Sequence, residues 1–248
     1  MKLIDVTADN VDETGFFCLM SRKGAPGYER KLKWLKKRFS EGMKLRMLGE
    51  GARGFVEYLP GEHAWRPVEA AGYFFIHCLW VVGKSKGKGY GRKLLDACVS
   101  DAKKSGAKGV AMVTSEKVWL PRRKLLERAG FKQVDSAEPA FSLMVRKFGR
   151  APDPAFTGDW EKKTARFGKG LTVVRTDQCP YIEDGTEILL NAARKRGLKA
   201  RSVELKSAQE VRRRSPTPYG TFAVVLDREL LSYHYLTERE FIKRLESR

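Results

Sequence analysis

The run Tyr73-Phe74-Phe75-Ile76-His77-Cys78-Leu79-Trp80-Val81-Val82 is almost wholly apolar, aromatic or β-branched, and Gly83-Lys84-Ser85-Lys86-Gly87-Lys88-Gly89-Tyr90-Gly91-Arg92 follows it directly. Such a run suits a strand covered on both faces. The alternating glycines Gly87, Gly89 and Gly91 open backbone conformations closed to other residues and let a ligand approach closely. Leu94, Leu95, Cys98 and Ala102 then recur at helical spacing. A helix that opens on a loop of this kind presents free N–H groups and a positive dipole end. Lys84, Lys86, Lys88 and Arg92 add charge. Strand, loop and helix together predict an α/β chain built around a phosphate or pyrophosphate site.

The spacing narrows the ligand. The loop is neither the GxxxxGK[ST] cradle of nucleoside triphosphates nor the GxGxxG dinucleotide turn. It is written R/Q-x-x-G-x-G/A, with Lys86 where Arg or Gln is usual and Gly89 and Gly91 at the glycine positions. With Leu79-x-Val81 before it and a long amphipathic helix after it, the segment resembles the acyl-CoA pyrophosphate loop of the GNAT acetyltransferase superfamily. The resemblance implies that Lys86, Gly87, Lys88, Gly89, Tyr90, Gly91 and Arg92 hold coenzyme A. It also implies that a strand amide, at Val81 or Val82, polarises the thioester carbonyl.

The rest of the chain reads as two parts. Lys2–Val6, Met43–Leu48, Ala52–Tyr58, Gly109–Thr114, Phe131–Val134 and Phe141–Val145 read as strands, and Tyr28, Leu32, Leu35 and Phe39 as a helix stripe. Residues 149–169, with Pro152 and Pro154, read as a linker between a first domain at 1–148 and a second at 170–248. The second reads βαβαββα, with a hairpin around Asp227-Arg228 and a capping box Thr237-x-x-Glu240 opening the last helix. That order resembles a thioredoxin-like fold. Cys179-Pro180-Tyr181-Ile182 stands where that fold carries C-P-x-C, and Pro218 at the place of its cis-proline.

Over its whole length the sequence resembles the YoaP-like acetyltransferases, a GNAT domain joined to a small YoaP-type domain. The shared runs include Phe39-x-Glu41-Gly42, Glu57-Tyr58-x-Pro60-Gly61-Glu62, Ile76-His77-Cys78-Leu79-Trp80-Val81 and Gly87-Lys88-Gly89-Tyr90-Gly91. The implied fold is α/β (α+β), a GNAT domain with a mixed central sheet followed by the thioredoxin-like domain. The implied activity is direct transfer of an acetyl group from acetyl-CoA to an amine, small-molecule or peptide. In GNAT proteins a helix ending Y-x-x-x-G-F often supplies the acid for the leaving thiolate. Gly130-Phe131 match, but Leu126 stands at the tyrosine position.

For the base, simple strand alternation puts His77, Leu79 and Val81 on one face. A histidine can accept a proton near neutral pH, and serotonin-type members of the superfamily place one here. The alternative is a hydrogen-bonded core histidine. Glu57 and Glu62 are the competing bases. The loop from Glu57 to Arg66 is a candidate acceptor wall through Tyr58, Trp65 and Arg66, although turn chemistry at Pro60-Gly61 accounts for part of it.

Composition sets the remaining bounds. A formal charge of +19 suits an anionic ligand such as coenzyme A, or nucleic acid, against which stands the spread of charge over both halves without a binding motif. Four scattered cysteines give no zinc spacing and predict a reducing compartment, no metal and no disulfide framework. No leader-like or membrane-spanning run is present, so a cytoplasmic protein is expected. Cys179, before a helix, is a candidate reactive thiol or a structural remnant. The alternative function is a non-catalytic coenzyme A or nucleic-acid module, or thiol chemistry at Cys179. Oligomeric state is not legible.

Overall fold

The structure, a computed structural model, describes residues 2–247. Its chain forms two compact units, Met1–Met20 with Leu35–Ala64 and Val68–Phe156, and Ser21–Trp34 with Trp65–Pro67 and Thr157–Arg248.

The first unit contains β1 (Leu3–Val6), α1 (Val11–Thr14), the end of α2 (Pro26–Phe39), β2 (Lys44–Leu48), β3 (Gly54–Pro60), β4 (Val68–Glu69), β5 (Phe74–Val81), α3 (Tyr90–Lys104), β6 (Gly109–Ser115), α4 (Arg123–Arg128), β7 (Lys132–Ala137), β8 (Phe141–Lys147) and β9 (Ala155–Phe156). Its main sheet has the order β1-β2-β3-β5-β6-β8-β7. Only the β5–β6 pair is parallel, the other neighbours being antiparallel. The apolar stripe predicted for α3 is the one it buries: Leu94, Leu95, Cys98, Val99 and Ala102 pack with Val56, Tyr58, Ile76, Leu79, Val110 and Met112. Each fully buried leucine contributes about 2 kcal/mol. The stretch expected as a linker is not featureless, since it contains β9, paired with β4, and reaches into α5 (Trp160–Ala165) of the second unit.

α3 is also tied to the sheet by charge. Asp101, 7% exposed, accepts the Tyr58 hydroxyl at 2.6 Å and Lys44 at 3.0 Å, and Arg46 at 3.2 Å. Burial alone would raise its pKa, but these donors outweigh burial and hold the carboxyl below its ordinary value. Burial, then the bond to Asp101, pushes the Tyr58 hydroxyl far up, and burial does the same to the Cys98 thiol. A carboxyl depressed in the fold stabilises above its unfolded pKa and loses that effect as pH falls through the folded value. Asp101→Ala should therefore cost about 3 kcal/mol at neutral pH, because three donors lose their acceptor. In urea titrations the gap between wild type and variant should narrow below about pH 4, the unfolded carboxyl pKa. A gap unchanged down to pH 2 would show that Asp101 stabilises by packing alone.

The second unit contains the start of α2, α5, β10 (Leu171–Arg175), α6 (Ile182–Arg194), β11 (Ala200–Glu204), α7 (Ala208–Arg214), β12 (Phe222–Leu226), β13 (Glu229–Ser232) and α8 (Glu238–Glu246). The sheet order is β11-β10-β12-β13, with β10 parallel to β11 and antiparallel to β12. The predicted capping box is present: Glu240 N–H donates to Thr237 Oγ1 at 3.3 Å and Thr237 N–H to Glu240 Oε2 at 2.8 Å. Arg175, 6% exposed, holds Asp177 at 2.6 Å, Glu204 at 3.4 Å and Glu183 at 3.5 Å. Among the described residues the one cis peptide bond precedes Pro139, so Pro218 is not the cis-proline expected from the sequence.

Candidate functional site

The site grows from a parting of strands. β5 and β6 pair only at Phe74↔Val110, Phe75↔Ala111 and Ile76↔Met112, although β5 runs on to Val81 and β6 to Ser115. Beyond Ile76 the edge of β5 no longer pairs with β6. Ladder alternation says which groups lie there. Val82 N–H donates to Arg53 O at 3.0 Å, so Gly54↔Val81 is a pair without mutual hydrogen bonds, and so is Val56↔Leu79. The amides of Val81 and Leu79 therefore face the gap. Val82, expected as an alternative carbonyl donor, spends its amide on Arg53. Leu79 was not named as a carbonyl donor from the sequence, where the family resemblance pointed to Val81 or Val82.

The loop after β5 forms an anion cradle. Gly87 and Gly89 have φ of +77° and +76°, and a Cβ at either would meet nothing within 4 Å. Gly89 caps α3 in the left-handed conformation without a side-chain bond, leaving the first-turn amides of Tyr90, Gly91 and Arg92 outward. Lys84, Lys86 and Lys88 are exposed, and no acid pairs with them among the described residues. These residues fit a phosphate-bearing ligand. Arg92 differs from expectation: its Nε holds the Asp96 carboxylate at 2.8 Å, and its guanidinium also donates to Arg128 O at 3.0 Å. The second bond fastens the start of α3 to the end of α4.

A bulge rearranges the strand beside the gap. On β3, Glu57 faces Cys78 but Tyr58 faces Ile76, so His77 is the extra residue of a bulge. The extra residue reverses the alternation. Ile76 and Leu79 both lie on the α3 face. His77 lies on the other face, its ring 5.9 Å from that of Phe75 and its Nδ1 4.0 Å from Glu57 Oε1. The expectation that His77 shares a face with Leu79 and Val81 is thus corrected. His77 and Glu57 are each 1% exposed, whereas Cys78 is half-buried.

The other expected residues are dispersed. Glu62 is exposed and accepts Gly72 N–H at 2.6 Å, bracing a turn. Tyr58 is fully buried on the α3 face with its hydroxyl on Asp101, which places it in the core rather than in an acceptor wall. Trp65 and Arg66 belong to the second unit. Trp65 packs edge-on to Trp34, and Arg66, 3% exposed, donates to Thr221 Oγ1 at 2.6 Å and to Gln178 Oε1. Cys179 is half-buried, three residues before α6. Leu126 is fully buried with Leu94 and Leu95, so its position offers no proton. Among the described residues no cluster of His, Cys, Asp and Glu could hold a metal, and no helix is long and apolar enough to cross a membrane.

Residues 16–131 match the family described as Acetyltransferase (GNAT) family. YoaP of Bacillus subtilis (strain 168), an uncharacterized N-acetyltransferase, is 34% identical over 251 residues, spanning 100% of this chain and 99% of that protein. Among solved structures, a putative GNAT acetyltransferase of Desulfovibrio desulfuricans is 20% identical, covering 60% of this chain and 100% of its own, with a TM-score of 0.41. A GNAT acetyltransferase of Staphylococcus aureus Mu50 is 13% identical, covering 60% and 99%, with a TM-score of 0.45. Full-length identity to YoaP, with the glycine loop and the parted strands in their places, puts this chain in the GNAT acetyltransferases, in the YoaP-like family.

Proposed function

We propose that the protein moves an acetyl group from acetyl-CoA to the amine of a small-molecule or peptide acceptor. The observation that carries this reading is the parting of β5 from β6 after Ile76↔Met112, directly before a glycine loop that opens α3. The parted strands leave backbone donors where a pantetheine arm would lie. In this reading the pyrophosphate lies on the amides of Gly87 to Gly91 with Lys86 and Lys88 beside it. The amides of Leu79 and Val81 point at the thioester oxygen, where charge develops as the carbonyl is attacked. His77 takes the proton of the attacking group, and Glu57 orients the imidazole and stabilises its charged form. Glu62 is a more distant base, acting through water.

The second unit we read as a YoaP-type thioredoxin-like module. The support is its strand order, with one parallel and two antiparallel pairs in the succession βαβαββα. Cys179 stands at the matching place, without a second cysteine in the motif. We place the protein in the cytoplasm. Acetyl-CoA and a panel of primary amines test the central reading by thiol release. Release above the amine-free rate with at least one acceptor is expected. Binding of coenzyme A with no release under any amine would leave a non-catalytic coenzyme A module.

A further inference from the structure

We infer that Ser85 is a positioning residue: it registers the glycine loop to the end of β5, so that a pyrophosphate held on the loop sets the thioester against the amide of Val81. This rests on the acetyltransferase reading. The geometry starts from a loss of support. After Ile76, β5 no longer pairs with β6, while its ladder with β3 continues to Gly54↔Val81. The two strands close tightly at that last pair. A Cβ on Gly54 would meet Trp80 O at 2.8 Å and Val81 Cγ2 at 3.0 Å. One residue further on, the backbone of Arg53 is gripped at both ends. Its carbonyl accepts Val82 N–H at 3.0 Å, and its N–H donates to Ser85 Oγ at 2.9 Å. Ser85 is 7% exposed and also turns back on the strand, its own N–H donating to Val82 O at 3.2 Å.

Arg53, Val82 and Ser85 thus form a ring of hydrogen bonds in which the Ser85 hydroxyl is the side-chain member. The bonds of Arg53 and Gly54 to the strand end hold Val81 whether or not that hydroxyl is present. What the hydroxyl adds is the loop. Gly83–Ser85 is a single turn, closed by Lys86 N–H donating to Gly83 O at 3.1 Å, and Gly87 and Gly89 follow at positive φ. The far half of the cradle runs into α3, which Leu94 and Leu95 anchor in the core. The near half, Lys86 to Lys88, takes its register to Val81 from Ser85. Binding energy at a remote part of a substrate speeds a reaction only when it orients the reacting centre. Ser85 supplies the rigid link through which the pyrophosphate end does so, and a misplacement of an ångström is enough to cost about a hundredfold in rate.

Ser85→Ala leaves Arg53 N–H without its acceptor and the turn free to shift. The test compares acetyl-CoA with acetyl-pantetheine, a donor without the pyrophosphate, using the amine that releases most thiol with the wild-type protein. With acetyl-CoA, kcat should fall about tenfold or more. Affinity for coenzyme A, by titration calorimetry, should change by less than about threefold, because the amides of the cradle remain. With acetyl-pantetheine, kcat/KM should stay at the wild-type level, since that donor does not sense where the loop lies. Ser85→Cys keeps the shape but offers a weak acceptor. It should show the same pattern to a smaller degree, and it carries the comparison if the alanine variant does not fold. Equal losses with both donors would make Ser85 a structural residue and overturn the inference. A wild-type kcat in Ser85→Ala, or a loss confined to coenzyme A affinity, overturns it too. In each of these cases thiol release by the wild type leaves the acetyltransferase reading standing. No thiol release from the wild type with any amine overturns both.

Discussion

Gly89→Glu should abolish coenzyme A binding while the protein stays folded. Gly89 is the cap of α3 at φ +76°, a conformation that costs a residue with a Cβ roughly 1–2 kcal/mol. That is a fraction of a typical stability of about 5–15 kcal/mol. No protein atom lies within 4 Å of a Cβ built there, so the side chain meets no clash. What it meets, in the function proposed, is the space for phosphate. The new carboxylate would occupy the amides of the first turn and repel an incoming pyrophosphate. Titration calorimetry should show affinity for coenzyme A down by about a hundredfold or more, since several charge-assisted bonds are lost together. Gly89→Ala isolates the strain and should lose only a few-fold, with an unchanged circular dichroism spectrum in both variants. Wild-type affinity in Gly89→Glu would refute the loop assignment.

His77→Ala should reduce turnover by about 10²–10⁴-fold, the range for loss of a general base. Affinity for coenzyme A should be untouched, because the imidazole lies on the sheet face away from α3. The effect should fall on kcat rather than on the KM for acetyl-CoA. Glu57→Gln keeps the shape of the pair but removes the charge 4.0 Å from Nδ1, and it should give a smaller loss in the same direction. A His77→Ala enzyme that works at the wild-type rate at every pH would make His77 a core residue.

The sequence carried the fold further than it carried the site. β5 and α3 were legible because local signals agreed: a doubly covered apolar run, glycines at a turn, and a stripe at helical spacing. The short pieces escaped for lack of any such period. β4 and β9 are two residues each and exist only because Val68 and Phe156 meet across the chain. The cradle was legible because backbone geometry made by glycine is written in the glycines. The candidate base was legible as a residue but not as a geometry. His77 was named, and its face was misjudged, because a bulge arises from how two strands pair and leaves no mark on either alone. Tyr58 and Arg66 failed as wall residues for a related reason. A polar side chain in a loop motif does not announce that Asp101 or Thr221, far off in sequence, will take its hydrogen bond.

The bulge at His77 also sets the reading frame of β5. Upstream, even-numbered residues such as Phe74 and Ile76 point to α3; downstream, odd-numbered Leu79 does. The core itself does not need the second frame. Deleting His77 would restore a single alternation with Phe74, Ile76 and Leu79 all still on the α3 face. What the deletion would remove is one of two consecutive side chains, His77 and Cys78, on the opposite face. The extra residue therefore serves the face away from α3, and a chain without it should keep its stability while losing that doubling.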